Sequence, residues 1–302
     1  MTEFEIITDT ASWQSGFERR LRSWYGSVGY GEAAAGELLR QVREDAAGWT
    51  VARIGSAGAP VGWVAVGVGE RDGALRGRIG DLWVDPAYEG LGHERAARAW
   101  AERRCTEQGA RSVHVRLTWP AGDVFADYPV RAQSRMRVID SPAALVHDVT
   151  TRPVTGDEYP AWLAGKKAHY VTDIVRSGAR TPEEARQKSD EDYARLLPDG
   201  PDTAGHTIMM MEVAGEVVGT GWLHHGHLPG VSFGYSLDVY EEQRGKGYGR
   251  DAMAVGERVA LAGGDSALMF NVWGGNEVAM SLYTGTGYLV VEETRSIDLP
   301  AG

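Results

Sequence analysis

The sequence predicts an α/β (α+β) chain of two similar domains, each a mixed, mostly antiparallel sheet flanked by helices. Three observations lead there. The chain has 302 residues, more than a usual single domain of ~100–200. Strand-like runs are joined by short turn signals such as Ala214-Gly215, the mark of antiparallel hairpins. The order of elements also repeats: sliding the halves by 155 residues lays Val84 on Val239, Gly92 on Gly247 and Tyr128 on Tyr283 without a gap.

In the first copy, helical stretches near 11–25 and 31–46 precede strands at Trp49–Ile54, Val61–Val68 and Arg78–Val84. A helix through 94–108 and a strand at Ser112–Leu117 follow, and the apolar run Ala143–Val146 is expected to close the sheet. The repeat places the domains at 1–148 and 149–302. The second copy opens at Thr155-x-x-Glu158, whose spacing allows a reciprocal capping box, and again at Thr181-Pro182-Glu183-Glu184, with Pro where a missing N–H is harmless. Helices over 156–177 and 182–196 are expected, then strands His206–Val213, Glu216–Leu223 and Val231–Val239. A Gly-rich loop leads into a helix over Tyr248–Ala262, followed by strand Ala267–Val272, short helix Asn276–Thr284 and last strand Tyr288–Leu299.

Composition narrows the class. With 43% hydrophobic and 24% charged residues the chain is an ordinary globular protein, and no apolar run nears the ~20 residues of a membrane span. The N-terminus lacks a secretory pattern, so a cytoplasmic protein with no membrane partner is expected. A single cysteine, Cys105, excludes an internal disulfide or a multi-cysteine metal site, and its Ala-rich surroundings suit a packing residue. The net charge of −11 argues against nucleic acid. It is uneven, −2 over residues 1–150 and −9 over 151–302, which would favour a cationic acceptor such as an amine.

Arg244-Gly245-Lys246-Gly247-Tyr248-Gly249, set between a strand and a helix, has the makings of a phosphate cradle. Its glycines let the backbone approach a pyrophosphate, helix amides point outward, and Arg244, Lys246 and Arg250 add charge. The nucleotide P-loop string is absent, and the spacing fails the Gly-x-Gly-x-x-Gly dinucleotide pattern. What the loop does match is [Gln/Arg]-x-x-Gly-x-[Gly/Ala], here Arg244-x-x-Gly247-x-Gly249. About 30 residues later come Asn276, Ala279, the pair Leu282-Tyr283, then Gly287-Tyr288. On these motifs, residues 151–302 resemble the GNAT acetyltransferase superfamily.

The resemblance implies acetyl-CoA as co-substrate, no metal, and direct attack of a primary amine on the thioester. It implies that Leu237, Asp238 and Val239 present main-chain groups to the acyl and pantetheine arm, that Arg244 to Arg250 hold the pyrophosphate, and that Asn276 bonds the cofactor arm. Tyr283 is the implied acid for the departing thiolate, and Asp238 is the first candidate base. His224, His225 and His227, expected in a loop after the second strand, are candidates to line the acceptor pocket, with Trp222 and Tyr235 as walls or core.

The first copy departs from the pattern. In the same register Glu89 stands at the Arg244 position, His93 at Tyr248, Glu94 at Gly249 and Ala121 at Asn276; only Tyr128 matches. Two carboxylates would repel a pyrophosphate, so this domain is expected to keep the fold and to have a weakened or lost cofactor site. A degenerate first domain before an intact second is a layout similar to that of the mycothiol synthases and of other small-molecule acetyltransferases. A small-molecule amine acceptor and a monomer or homodimer follow as expectations. A protein N-terminal or lysine acetyltransferase, or a non-catalytic acyl-CoA binder, is the alternative.

Overall fold

The computed structural model describes residues 1–71, 73–118, 123–176 and 181–300. The chain forms two compact units, Met1–Arg137 with Phe270–Gly302, and Val138–Met269.

The first unit contains β1 (Thr2–Ile6), α1 (Ala11–Ser27), α2 (Glu32–Ala46), β2 (Thr50–Ser56), β3 (Ala59–Arg71), β4 (Ala74–Val84), α3 (His93–Glu107), β5 (Ser112–Leu117) and β6 (Val130–Val138, ending at the division). Within this unit the strands run in the order β1-β2-β3-β4-β5, then β12 (Leu289–Asp298), then β6. The C-terminal strand thus enters the sheet built on the first copy, antiparallel both to β5 over Glu293–Asp298 and to β6 over Leu289–Arg295. The repeat in sequence and the division in space follow different lines.

Helix α1 forms because Trp13, Phe17, Leu21 and Tyr25 recur every four residues, and all four are at most 4% exposed. On α3 the buried face beyond His93 is made of small residues, Ala97, Ala101 and Cys105. Gly77 of β4 lies under it, since a Cβ there would meet Cys105 Sγ at 2.6 Å. Burial pushes the Cys105 thiol up to about 11, in keeping with a packing residue.

The second unit contains β7 (Val149–Pro153), α4 (Tyr159–Arg176), α5 (Pro182–Leu196), β8 (His206–Val213), β9 (Glu216–Leu228), β10 (Val231–Val239), α6 (Tyr248–Ala262) and the start of β11 (Ala267–Trp273). Its strands lie in the order β7-β8-β9-β10-β11. Ala214 and Gly215 both take positive φ, 53° and 83°, as a two-residue type I′ hairpin requires. Ala57 and Gly58 repeat the device at 50° and 82°, and these two alanines are the non-glycine residues with positive φ among those described. Both capping boxes form: Thr155 with Glu158, and Thr181 with Glu184.

Three expectations change. Strands β1, β6 and β7 are not among the predicted elements, although β1 and β6 alternate apolar with polar residues; β7 does not. Ala143–Val146 is not a strand; its amides turn instead to buried carboxylates of α6, Ala143 donating to Glu257 at 2.8 Å and Val146 to Asp251 at 2.6 Å. The histidines expected in a loop lie within β9, which runs on to Leu228.

The β3–β4 pair carries a close approach. A Cβ on Gly62 would sit 2.2 Å from the Trp83 carbonyl oxygen, so Gly62→Ala forces backbone apart and is expected to destabilise by about 1–3 kcal/mol. Gly36, inside α2 with open space around it, should respond in the opposite sense: Gly36→Ala is expected to stabilise by about 0.5–1 kcal/mol. Urea melts of the two variants check both signs.

Candidate active site

In the second unit the site begins with an irregular strand. The β9–β10 register shifts between Gly234 and Ser236, leaving Tyr235 as the extra residue of a bulge. Beyond it β10 delivers Leu237, Asp238 and Val239 to the loop. Gly219 on β9 accommodates the distortion, since a Cβ there would lie 2.2 Å from the Asp238 carbonyl oxygen. The Ser236 hydroxyl is buried with no hydrogen-bond partner among the described residues, which suits a strand that bonds a ligand.

After a 3-10 turn at Glu241–Gln243, Gly245 takes φ 78° and Gly247, the N-cap of α6, takes φ 93°. Left-handed glycines on either side of Lys246 curl the chain so that successive amides face one concavity, which the helix dipole makes still more anion-attracting. Nothing lies within 4 Å of where a Gly245 Cβ would be, and Arg244, Lys246 and Arg250 are exposed. The loop therefore fits a polyphosphate. Its shape is braced by residues that the sequence did not mark. Asp251, 1% exposed, accepts from the amides of Val146 and His147, and His147 Nδ1 lies 2.6 Å from its second oxygen. The His147 ring stands edge-on to Tyr248 at 4.8 Å and reaches to 3.3 Å of a Cβ built on Gly247.

Asp238 is half-exposed and forms an ion pair with Lys166 of α4, whose side chain is largely covered. On the same side lies an aromatic cluster. Trp222, 2% exposed, stacks on Tyr235 at 4.2 Å, meets Trp162 and Tyr193, and donates through Nε1 to His206 Nδ1 at 2.9 Å. Trp222 is therefore core, while Tyr235 remains partly exposed. His206 and His224 stack at 4.3 Å, and His227 packs on Phe233 at 4.8 Å. His225, one residue out of phase with His224, instead meets Thr207 at 2.8 Å and Ser232 at 3.0 Å.

Asn276 and Tyr283 belong to the first unit, on α7 (Glu277–Gly285) and its cap. Asn276 Oδ1 accepts from the Ala279 amide at 3.1 Å and so caps the helix. Tyr283, partly exposed, stacks on Phe270 at 5.3 Å and lies 5.9 Å from Tyr288.

The first copy's loop keeps the backbone and loses the chemistry. Gly90 and Gly92 take φ 74° and 87°, close to their counterparts Gly245 and Gly247. Glu94 Oε1 nevertheless accepts from the Gly90 amide at 3.3 Å, placing a carboxylate on a donor that a phosphate would use. His93 is buried, with Nδ1 3.0 Å from the Thr2 hydroxyl. Tyr128, 1% exposed, donates to Glu102 at 2.7 Å, and burial holds its hydroxyl well above the usual tyrosine range. Ala121 lies outside the described residues.

Each copy has a bulged strand that leads through left-handed glycines into a helix N-terminus, and in the second copy that loop could hold an anionic group. The Acetyltransferase (GNAT) family model matches residues 10–119 and 172–288, so the chain belongs to that family and is an acyltransferase enzyme with tandem GNAT domains. An uncharacterized N-acetyltransferase of Bacillus subtilis, YycN, is 31% identical over 139 residues, 45% of this chain and 89% of its own. A mycothiol acetyltransferase of Pseudarthrobacter chlorophenolicus is 30% identical over 233 residues, covering 72% of this chain and 68% of the relative. Among solved structures, a GCN5-related N-acetyltransferase from Sphaerobacter thermophilus shares the fold, with a TM-score of 0.56, 18% identity, and 99% and 96% of the two chains covered. No helix among the described residues is long and apolar enough to cross a membrane, and no group of three or more His, Cys, Asp or Glu is placed to hold a metal ion.

The histidine stack sets a pH dependence. His206 is pushed from 6.5 down to about 4, by burial first and then by His224 and His225. Between those values the unfolded chain binds a proton that the folded chain refuses, so stability rises with pH across the window and falls on acidification. His224 and His227 are shifted in the same sense. Melts from pH 7 to 4 are expected to show a shallower decline for His206→Gln; an unchanged slope would remove His206 from this effect.

Proposed function

We propose that this enzyme transfers an acetyl group from acetyl-CoA to the primary amine of a small molecule by direct attack on the thioester. The observation that carries the reading is the Arg244–Arg250 loop, with two left-handed glycines, an open concavity and three cations at a helix N-terminus. Acetyl-CoA would supply the activated acyl carbon. The loop's amides and cations hold the pyrophosphate, and the main chain of Leu237, Asp238 and Val239 orients the arm. The family pattern assigns Asn276 to the arm and Tyr283 to protonating the thiolate.

Asp238 is the proposed first carboxylate met by the acceptor. Its ion pair with Lys166 supports an ammonium-accepting position at the end of β10, which the acceptor's own ammonium would enter in place of Lys166, passing a proton to Asp238 as the proposed base so that the free amine attacks. Two mycothiol acetyltransferase relatives, which align with nearly three quarters of the chain, support a small-molecule acceptor over a protein one. A cytoplasmic location belongs to the same reading.

Thiol release from acetyl-CoA, measured across panels of small amines and peptides, tests the activity; tight binding without turnover on any acceptor would leave a non-catalytic binder. Arg244→Glu and Gly247→Glu are each expected to abolish acetyl-CoA binding, whereas Tyr283→Phe is expected to keep Kd and lower kcat. Wild-type affinity in both loop variants would place the cradle elsewhere. Calorimetry on the wild-type chain is expected to find one acetyl-CoA site, since Glu89 and Glu94 weaken a second by a hundredfold or so. Two comparable sites, one of them surviving Arg244→Glu, would contradict the reading of the first loop.

A further inference from the structure

The first unit holds a cavity of about 1120 Å³ at the mouth of its altered loop, with Arg19, Trp24, Trp83, Glu89, Glu94 and Arg95 in its wall. It is larger than the ~300–1,000 Å³ of common ligand sites. Its floor is Leu82 to Val84 of β4. Parallel pairing with β5 runs from Arg76 to Ile79, while among the described residues Asp81 to Val84 pair only with β3. Leu82 to Val84 span about 10 Å at ~3.3 Å per residue, room for an extended chain of about three residues that bonds through its own amides.

The charges say what such a chain carries. Arg20 is committed, with Nη2 2.6 Å from the buried Asp81 and its guanidinium 4.8 Å from the Trp83 ring, so it fixes the indole in the wall. Arg19 and Arg95 make no ion pair among the described residues, and neither do Glu89 and Asp123. A site with unspent cations, unspent carboxylates, two indoles and a strand edge has a partner for each part of a peptide: carboxylate, ammonium, side chain and amides. A polyphosphate suits it poorly, because Glu94 already occupies the Gly90 amide and Glu89 stands beside it.

We propose that this cleft binds a short peptide with free ends, of about three residues, whose carboxylate meets Arg19 and Arg95, whose ammonium meets Glu89, and whose backbone extends along β4. The proposal is independent of acetyl transfer at the second loop. Its test is titration calorimetry of the full chain with Ala-Leu-Ala bearing free termini, alongside the N-acetylated and C-amidated forms. Binding of the free peptide is expected, with at least about a tenfold loss on amidation and a comparable loss in the Arg19→Ala/Arg95→Ala double variant. Both arginines are exposed, and thermal melts of the double variant are expected to match wild type. Glu89→Gln should weaken the free peptide and leave the N-acetylated one unchanged. In an Arg244→Glu chain the free peptide should bind as before, undisturbed by acetyl-CoA. No binding at millimolar peptide, equal affinity of free and doubly blocked peptides, or displacement by acetyl-CoA in that chain would each overturn the proposal.

Discussion

The candidate sites depend on one constraint: the strand that feeds each loop must stop behaving as a regular strand part-way along its length. Gly80 and Tyr235, related by the same 155-residue step, mark the two interruptions. In the first unit the consequence is explicit, because β4 parts from β5 after Ile79. A parted strand leaves amides and carbonyls without ladder partners, a costly arrangement in a dry interior and a useful one where a ligand completes it. The neighbouring strand adjusts with a glycine, Gly62 or Gly219, each facing a carbonyl that any Cβ would strike.

The two copies show how far backbone and side chain separate. Their hairpins, bulges and left-handed glycines coincide within a few degrees and within two residues, so the shape of a phosphate loop survives in both. Shape alone does not make the site. Glu94 closes one loop by taking an amide for itself, and Tyr128 gives its hydroxyl to Glu102 under Arg98. In the second copy Asp251 is also a carboxylate in the first helical turn, yet it faces inward, tied to residues 146–147. An acidic residue at a helix N-terminus thus opposes or supports an anion site according to where its oxygens are spent.

Much of this was legible locally. The Ala214-Gly215 hairpin, both Thr-x-x-Glu caps and the Arg244–Gly249 loop each depend on residues a few positions apart, and such patterns survive in the sequence. What was not legible depends on long separations or weak patterns. Asp251 meets His147 across 104 residues and Asp238 meets Lys166 across 72, and neither partner carries a motif. The strand β7 ends in Pro153 and lacks alternation, whereas β6 sets Val130, Ala132, Met136 and Val138 against Arg131, Gln133, Arg135 and Arg137, so its strand character was in the sequence. Ala143–Val146 failed the other way: an apolar run suggested a ladder, but the buried Glu257 and Asp251 outcompeted any strand for its amides. Nor does a repeat reveal that the last strand of the chain lies between β5 and β6.

Charge shows the same tension between global and local. The half of the sequence with net charge −9 contains the Arg244–Arg250 loop, whose cations and helix N-terminus would favour an anion. At physiological ionic strength exposed charges are screened over about 8 Å, so the acidic surface elsewhere hardly reaches the loop, whereas Arg244, Lys246 and the first-turn amides lie within that range. Net charge therefore bears on partners that cover many such lengths at once, nucleic acid above all, and says little about a ligand small enough to sit inside one. An acidic chain is therefore compatible with an anion-binding loop, and Glu89 and Glu94, two of forty-two carboxylates, bear on the first loop because they lie within it.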